Sequence, residues 1–136
     1  MLKIWGRISS VNVQKVVWAA DEMGLAYERI DAGGAFGKTK TPEYLAMNPN
    51  SLVPVIDEDG FILYESNAIV RYLAMRYAPR LLYGDDLATF ARAGQWMDWD
   101  NAELMRGQHT LVMQFVRVPP AQRDLAQIES ARSELC

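Results

Sequence analysis

Apolar residues recur along this chain with two different periods, and the alternation between them sets out its plan. Leu2–Trp5 is a short apolar run of the buried-strand kind. From Asn12 to Met23 the positions Val13, Val16, Val17, Ala20 and Met23 repeat at helical spacing, and Gly24 supplies a C-terminal stop. Tyr27–Asp31 predicts a second strand. A strand–helix–strand unit of this length predicts parallel pairing with a right-handed crossover. Ala32 to Lys40, with Gly33, Gly34 and Gly37, reads as loop. Thr41 caps a short helix with Pro42 at its first position, ending before Asn48–Pro49. Pro54–Asp57 and Phe61–Tyr64, joined through Glu58–Asp59–Gly60, predict an antiparallel hairpin. Ser66–Tyr77 then predicts a helix carrying Ile69, Val70, Leu73 and Tyr77 on one side.

Ala78–Asp86, which contains Pro79 and Gly84, is the predicted boundary. Beyond it the pattern is helical only: one long helix over Leu87–Val116, broken by Pro119–Pro120, and another from Ala121 to about Glu134. The order β-α-β, α, β-β-α followed by helices predicts the α/β class, a mixed sheet covered by helices over residues 1–78 and an all-helical segment over 86–136.

Half of the 136 residues are hydrophobic and 23% are charged, which is a globular composition. The net charge of -3 and the lack of a basic block give a nucleic-acid partner no electrostatic support. Apolar runs stay far below the roughly 20 residues of a membrane span, and the N-terminus lacks the apolar region of a signal peptide. The one cysteine, Cys136, excludes an intramolecular disulfide or CxxC pair and fits a reducing compartment, so the cytoplasm is expected. His109, between Gln108 and Thr110, has no Glu or His at ligand spacing, so no metal role is expected. Gly33–Gly34 with Gly37 lacks the Gly-Lys-Ser/Thr ending of a phosphate loop.

Candidate chemistry gathers in two places. The run Leu52–Val53–Pro54–Val55–Ile56 embeds a proline that cannot donate to a sheet ladder. A cis bond there would turn the N–H and C=O of Val53 outward to pair with an extended peptide. The triplet Glu65–Ser66–Asn67 follows, offering an acid and a hydroxyl at a helix start. Ser66–Asn67 also suits a plain helix cap, as does Asn12, and Ser9 and Ser10 suit turn or cap roles. Lys38 and Lys40 read as surface lysines ahead of a role on a ligand carboxylate, and Trp96 and Trp99, three apart, as core packing or a subunit contact ahead of ligand stacking.

The segment "NPNSLVPVIDEDGFILYESNAIVRYLAMRY" (Asn48–Tyr77) resembles the glutathione-binding half of the glutathione transferase family almost position by position. "SSVNVQKVVWAADEMGLAYE" (Ser9–Glu28) is similar to that family's first helix and the loop before it, and Arg92–Trp99 to the opening of its helical second domain. The resemblance implies a thioredoxin-like domain over 1–78 and an incomplete all-α domain over 86–136, because the family continues for several more helices. It also implies reduced glutathione as co-substrate, with its thiolate directed at a small electrophile or a disulfide.

In that reading Val53, beside Pro54, aligns the cysteinyl backbone. Glu65 accepts from the γ-glutamyl ammonium, and Ser66 donates to the adjoining carboxylate. The thiol, with an ordinary pKa of roughly 8.5, needs a hydroxyl or amide at a helix start to stabilise its thiolate. The family pattern puts Ser10 at the hydroxyl position of serine-type members and Asn12 where bacterial nu-type members carry asparagine. Ser9 stays an alternative to Ser10, since a one-residue shift exchanges them. Leu104, Leu111, Val112 and Phe115 lack the cover that later helices supply, which predicts a homodimer. A second class of function is a non-catalytic binding or interaction module with the same fold. Maleylacetoacetate-type isomerisation is weaker, because Val11–Asn12–Val13 follow Ser10 where that activity has a serine-cysteine motif.

Overall fold

The short strand segments read from the sequence are realised as a mixed sheet whose two faces are both covered. The computed structural model describes residues 1–80, 84 and 86–135, Arg106 by its backbone alone. They fall into two compact units, Met1–Asp85 and Asp86–Cys136. The first contains β1 (Leu2–Trp5), α1 (Val11–Glu22), β2 (Tyr27–Ile30), α2 (Pro42–Met47), β3 (Val55–Glu58), β4 (Phe61–Tyr64) and α3 (Ser66–Tyr77). Its four strands lie in the order β2-β1-β3-β4. β1 and β2 are parallel, with Leu2 opposite Tyr27, and β1 and β3 are antiparallel, with Ile4 opposite Ile56. β3 and β4 form the expected antiparallel hairpin, with Val55 opposite Tyr64. Asp59 and Gly60 at its tip both take positive φ, 51° and 92°, as a type I′ turn requires.

Alternation along the strands decides which side chains meet which helix. Leu2, Ile4 and Ile56 point to one face, where Val16 and Ala20 of α1 and Ile69 and Leu73 of α3 complete the core. Each of the larger side chains contributes about 1.5–3 kcal/mol by leaving water. The opposite face packs Val55, Ala32 and Tyr44 against Trp5, Val53 and Ile62. Because α1 and α3 share one face of the sheet, the fold sets both helices against the same core. Glu58 is buried at the end of β3 but is not isolated. It accepts from the Tyr72 hydroxyl at 2.6 Å and from the Tyr77 hydroxyl, and pairs with Arg76 Nε at 3.2 Å.

β3 begins at Val55 rather than Pro54, since proline has no N–H to give the ladder. The Val53–Pro54 peptide is cis. Part of the predicted boundary Ala78–Asp86, namely Leu81, Leu82, Tyr83 and Asp85, lies outside the described residues, as does Cys136.

The second unit is helical, as its pattern predicts. α4 (Leu87–Trp99) starts at Asp86, whose Oδ1 accepts the Thr89 N–H at 2.9 Å. That capping holds the Asp86 carboxyl below its usual range. The single long helix expected over Leu87–Val116 is instead α4 and α5 (Met105–Val112) with π-helical turns at Asp100–Leu104 and Met113–Arg117. A π-turn shifts the hydrogen-bonding pattern without leaving the helical path, and the side-chain pattern carries no mark of it. The last helix, α6 (Leu125–Leu135), starts later than Ala121. A 3₁₀ turn occupies Pro120–Gln122, and Asp124 Oδ1 accepts the N–H groups of Ala126 and Gln127, both at 3.0 Å. α5 and α6 approach closely at Gly107, where a Cβ would stand 2.7 Å from the Ala131 carbonyl oxygen. Among the described residues no helix is long and apolar enough to cross a membrane.

Candidate functional site at the starts of α1 and α3

α1 begins at Val11 because Ser10, in an extended conformation, stands at its N-cap. A serine there ordinarily spends its hydroxyl on a backbone N–H of the first turn. Ser10 makes no such bond, although its carbonyl accepts the Gln14 N–H at 2.9 Å. Gln14 Nε2 in turn donates to the Ile8 carbonyl at 2.9 Å and ties down the loop before the helix. Ser10 and Asn12 are half-buried, whereas Ser9 is exposed.

At α3 the N-cap is Glu65, not Ser66, and Glu65 makes no side-chain cap bond. Its backbone sits at φ 72°, ψ 112°, a region that L-residues rarely enter. Ser66 is therefore the first helical residue. It is only 6% exposed, and its hydroxyl donates to Asn12 Oδ1 at 3.4 Å. One turn further on, Lys15 Nζ donates to Asn67 Oδ1 at 3.4 Å. Two residues singled out on separate sequence arguments, Asn12 and Ser66, are thus in contact.

Val53 and Pro54 sit on a neighbouring loop, with Val53 half-buried and Pro54 buried. Among the described residues, no backbone hydrogen bond outside the helices and strands uses the N–H or C=O of Val53. The carbonyl before it is held firmly: Leu52 O accepts from the Tyr44 hydroxyl at 2.8 Å and from Asn48 Nδ2 at 3.0 Å. Ser51 Oγ donates to the Thr39 carbonyl at 2.7 Å, and Asn48 Oδ1 accepts the Asn50 N–H at 3.0 Å. Sequence reasoning read Asn48 only as a helix stop. Its buried side chain organises the loop that presents Val53, and an asparagine directly before a proline was the available signal.

Burial pushes the Tyr44 phenol up to about 12 from 10.0. Since the folded value is the higher one, this contribution to stability is intact below pH 10.0 and is withdrawn as the pH climbs towards about 12. Alkaline unfolding of the wild type should show this loss, and Tyr44→Phe should flatten it while costing about 0.5–1.5 kcal/mol at neutral pH. An unchanged alkaline limb in the variant would count against Tyr44 as its source.

Other sequence candidates stand apart from this cluster. Lys38 and Lys40 are exposed on the loop after β2, and His109 is exposed on α5. Trp96 and Trp99 form a T-shaped pair 5.7 Å apart but are 63% and 46% exposed, so they do not pack into a core within their own unit. Among the described residues no group of three or more His, Cys, Asp or Glu side chains is placed to hold a metal ion.

Comparison with known proteins gives this arrangement a context. Residues 1–75 match the family model "Glutathione S-transferase, N-terminal domain". Glutathione S-transferase GstB of Escherichia coli is 46% identical over 136 residues, covering 98% of this chain and 65% of that protein. The crystal structure of the theta class glutathione S-transferase from Xanthomonas axonopodis pv. citri with glutathione bound superposes with a TM-score of 0.94 at 46% identity, over 98% of this chain and 64% of that one. Elongation factor 1-gamma 2 of Oryza sativa is 36% identical over 93 residues, 68% of this chain and 22% of that protein. The chain therefore spans just under two thirds of the length of the first two. A matching family model over more than half its residues, carried on a thioredoxin-like sheet with helices, makes the chain a member of the glutathione S-transferase family.

Proposed function

We propose that this chain binds reduced glutathione across the starts of α1 and α3 and directs its thiolate at small electrophiles or disulfides. The observation that carries the reading is the Ser66–Asn12 hydrogen bond, which joins the two helix starts into one polar corner. Val53 aligns the cysteinyl backbone, beside Pro54. Glu65 accepts from the γ-glutamyl ammonium and the backbone N–H of Ser66, at the start of α3, donates to its carboxylate while the Ser66 hydroxyl stays on Asn12; Ser10 with Asn12 steadies the sulfur, and Ser9 is the alternative to Ser10. The thiol proton leaves to solvent, the thiolate forms the new bond to carbon or sulfur, and the leaving group departs. Neither serine acts as a nucleophile.

Residues 1–78 are the glutathione-binding domain in this proposal, and 86–136 belong to a helical domain. The serine- or nu-type assignment rests on Ser10 and Asn12. Cytoplasmic residence follows from the cysteine usage. Homodimer formation is supported by the exposed apolar side chains of the second unit, among them Trp96, Val112, Phe115 and Val116. A second reading, a non-catalytic glutathione-fold interaction module, is supported by the similarity to elongation factor 1-gamma 2, a relative whose name is not that of a transferase.

Calorimetric titration with reduced glutathione tests the proposal, with the ultraviolet absorbance of the thiolate followed against pH in parallel. Saturable binding with a lowered thiol pKa supports the enzyme. Binding with an unshifted thiol and no conjugation of an aryl halide supports the interaction module. No uptake by folded protein defeats both.

A further inference from the structure

Arg7 is unaccounted for by the chemistry above. It follows β1 directly, and its Nε is buried with no hydrogen-bond partner. Among the described residues no carboxylate pairs with it. Leaving a buried donor unsatisfied is unfavourable, and a native fold that does so needs a reason.

The surroundings of Arg7 are shaped to hold it there. Gly33 and Gly34 both have positive φ, 80° and 58°, and lie directly against its side chain. A Cβ on Gly33 would stand 3.0 Å from Arg7 Nη1, and one on Gly34 would stand 3.1 Å from Arg7 Cδ. The same point above Gly33 lies 3.3 Å from Val53 Cγ1 and 3.6 Å from Thr39 Cγ2. The guanidinium thus rests on two glycines next to the residue expected to align the cysteinyl group. A peptide carboxylate one residue further along an extended chain lies only about 3.3–3.6 Å beyond. A planar guanidinium suits a carboxylate through parallel hydrogen bonds.

We propose that Arg7, held over Gly33–Gly34 beside Val53, is the residue that receives a ligand carboxylate in this site. The inference rests on the glutathione reading. The carboxylate comes either from the glycine end of glutathione or from an anionic group carried on the sulfur by the electrophile.

Calorimetry on the full chain separates the cases, using wild type, Arg7→Gln and Arg7→Lys. The ligands are glutathione, γ-glutamylcysteine, S-methylglutathione and S-carboxymethylglutathione. Should the glycine end be the source, Arg7→Gln weakens glutathione about tenfold to a hundredfold and leaves γ-glutamylcysteine unchanged. Should the electrophile be the source, only S-carboxymethylglutathione loses that factor. Arg7→Lys recovers part of the loss in either case. Since Arg7 has no internal partner, Arg7→Gln should melt no lower than wild type. The wild type's own preference among the four ligands reads the same selectivity without a variant. Equal affinities of variant and wild type for all four, or an equal loss for all four, overturn the role of Arg7 while leaving glutathione binding intact. A wild type that binds none of them overturns the glutathione reading itself and this inference with it.

Discussion

If the proposed transferase activity holds, Ser10→Ala should lower kcat for conjugation of an aryl halide by roughly a hundredfold, the scale on which a single preorganised donor to a developing anion acts. The thiol pKa of bound glutathione rises in the same variant, and the parallel Ser9→Ala protein stays within about twofold of wild type. The argument comes from what the Ser10 hydroxyl does not do. It stands at the N-cap of α1 and makes no capping bond, so it is available beside the positive end of the helix dipole. For the same reason the substitution removes no internal hydrogen bond, and thermal stability should fall by no more than about 0.5 kcal/mol, the low end for caps. A fall in activity that tracks a fall in melting temperature, or a larger effect from Ser9→Ala, defeats the assignment.

Glu65→Gly should move stability and binding in opposite directions. The native backbone at φ 72°, ψ 112° costs a non-glycine residue about 1–3 kcal/mol. Glycine relieves that strain, against an entropic cost of about 0.5–1 kcal/mol for its freer unfolded chain. The net expectation is a protein more stable by about 1 kcal/mol in denaturant unfolding. Glutathione affinity drops by at least about tenfold, because the carboxylate that would accept from the γ-glutamyl ammonium is gone. Losing both stability and affinity would mean that the backbone of Glu65 is not strained. Gaining stability with affinity intact would remove Glu65 from the ligand's contacts.

Much of the first unit was legible because its elements announce themselves by period and punctuation. Val13, Val16 and Ala20 mark α1, Thr41–Pro42 mark the start of α2, and Asp59–Gly60 mark the hairpin. All three readings rest on local chemistry that tertiary contacts reinforce. The π-turns after Trp99 and Val112 were not legible, since they reassign backbone hydrogen bonds without changing which residues are apolar. The polar corner was half legible. Ser66 and Asn12 stand out as helix-start residues and α3 begins at Ser66 as expected, but nothing in a glutamate's chemistry announces the positive φ at Glu65. Arg7 was missed because a single arginine after a strand has no pattern of its own. Its signal lies some distance along the chain, in the adjacent glycines 33 and 34, whose pattern alone predicts no more than a loop.

The hydrogen bonds from Ser66 to Asn12 and from Lys15 to Asn67 bear on how a ligand is received. They cross-brace the first turns of α1 and α3, which already share a core. The groups proposed to hold the γ-glutamyl end and those proposed to steady the sulfur are thereby fixed in one rigid frame before a tripeptide arrives. The conformational entropy lost on association then falls mainly on the flexible visitor, and the host surrenders little motion of its own.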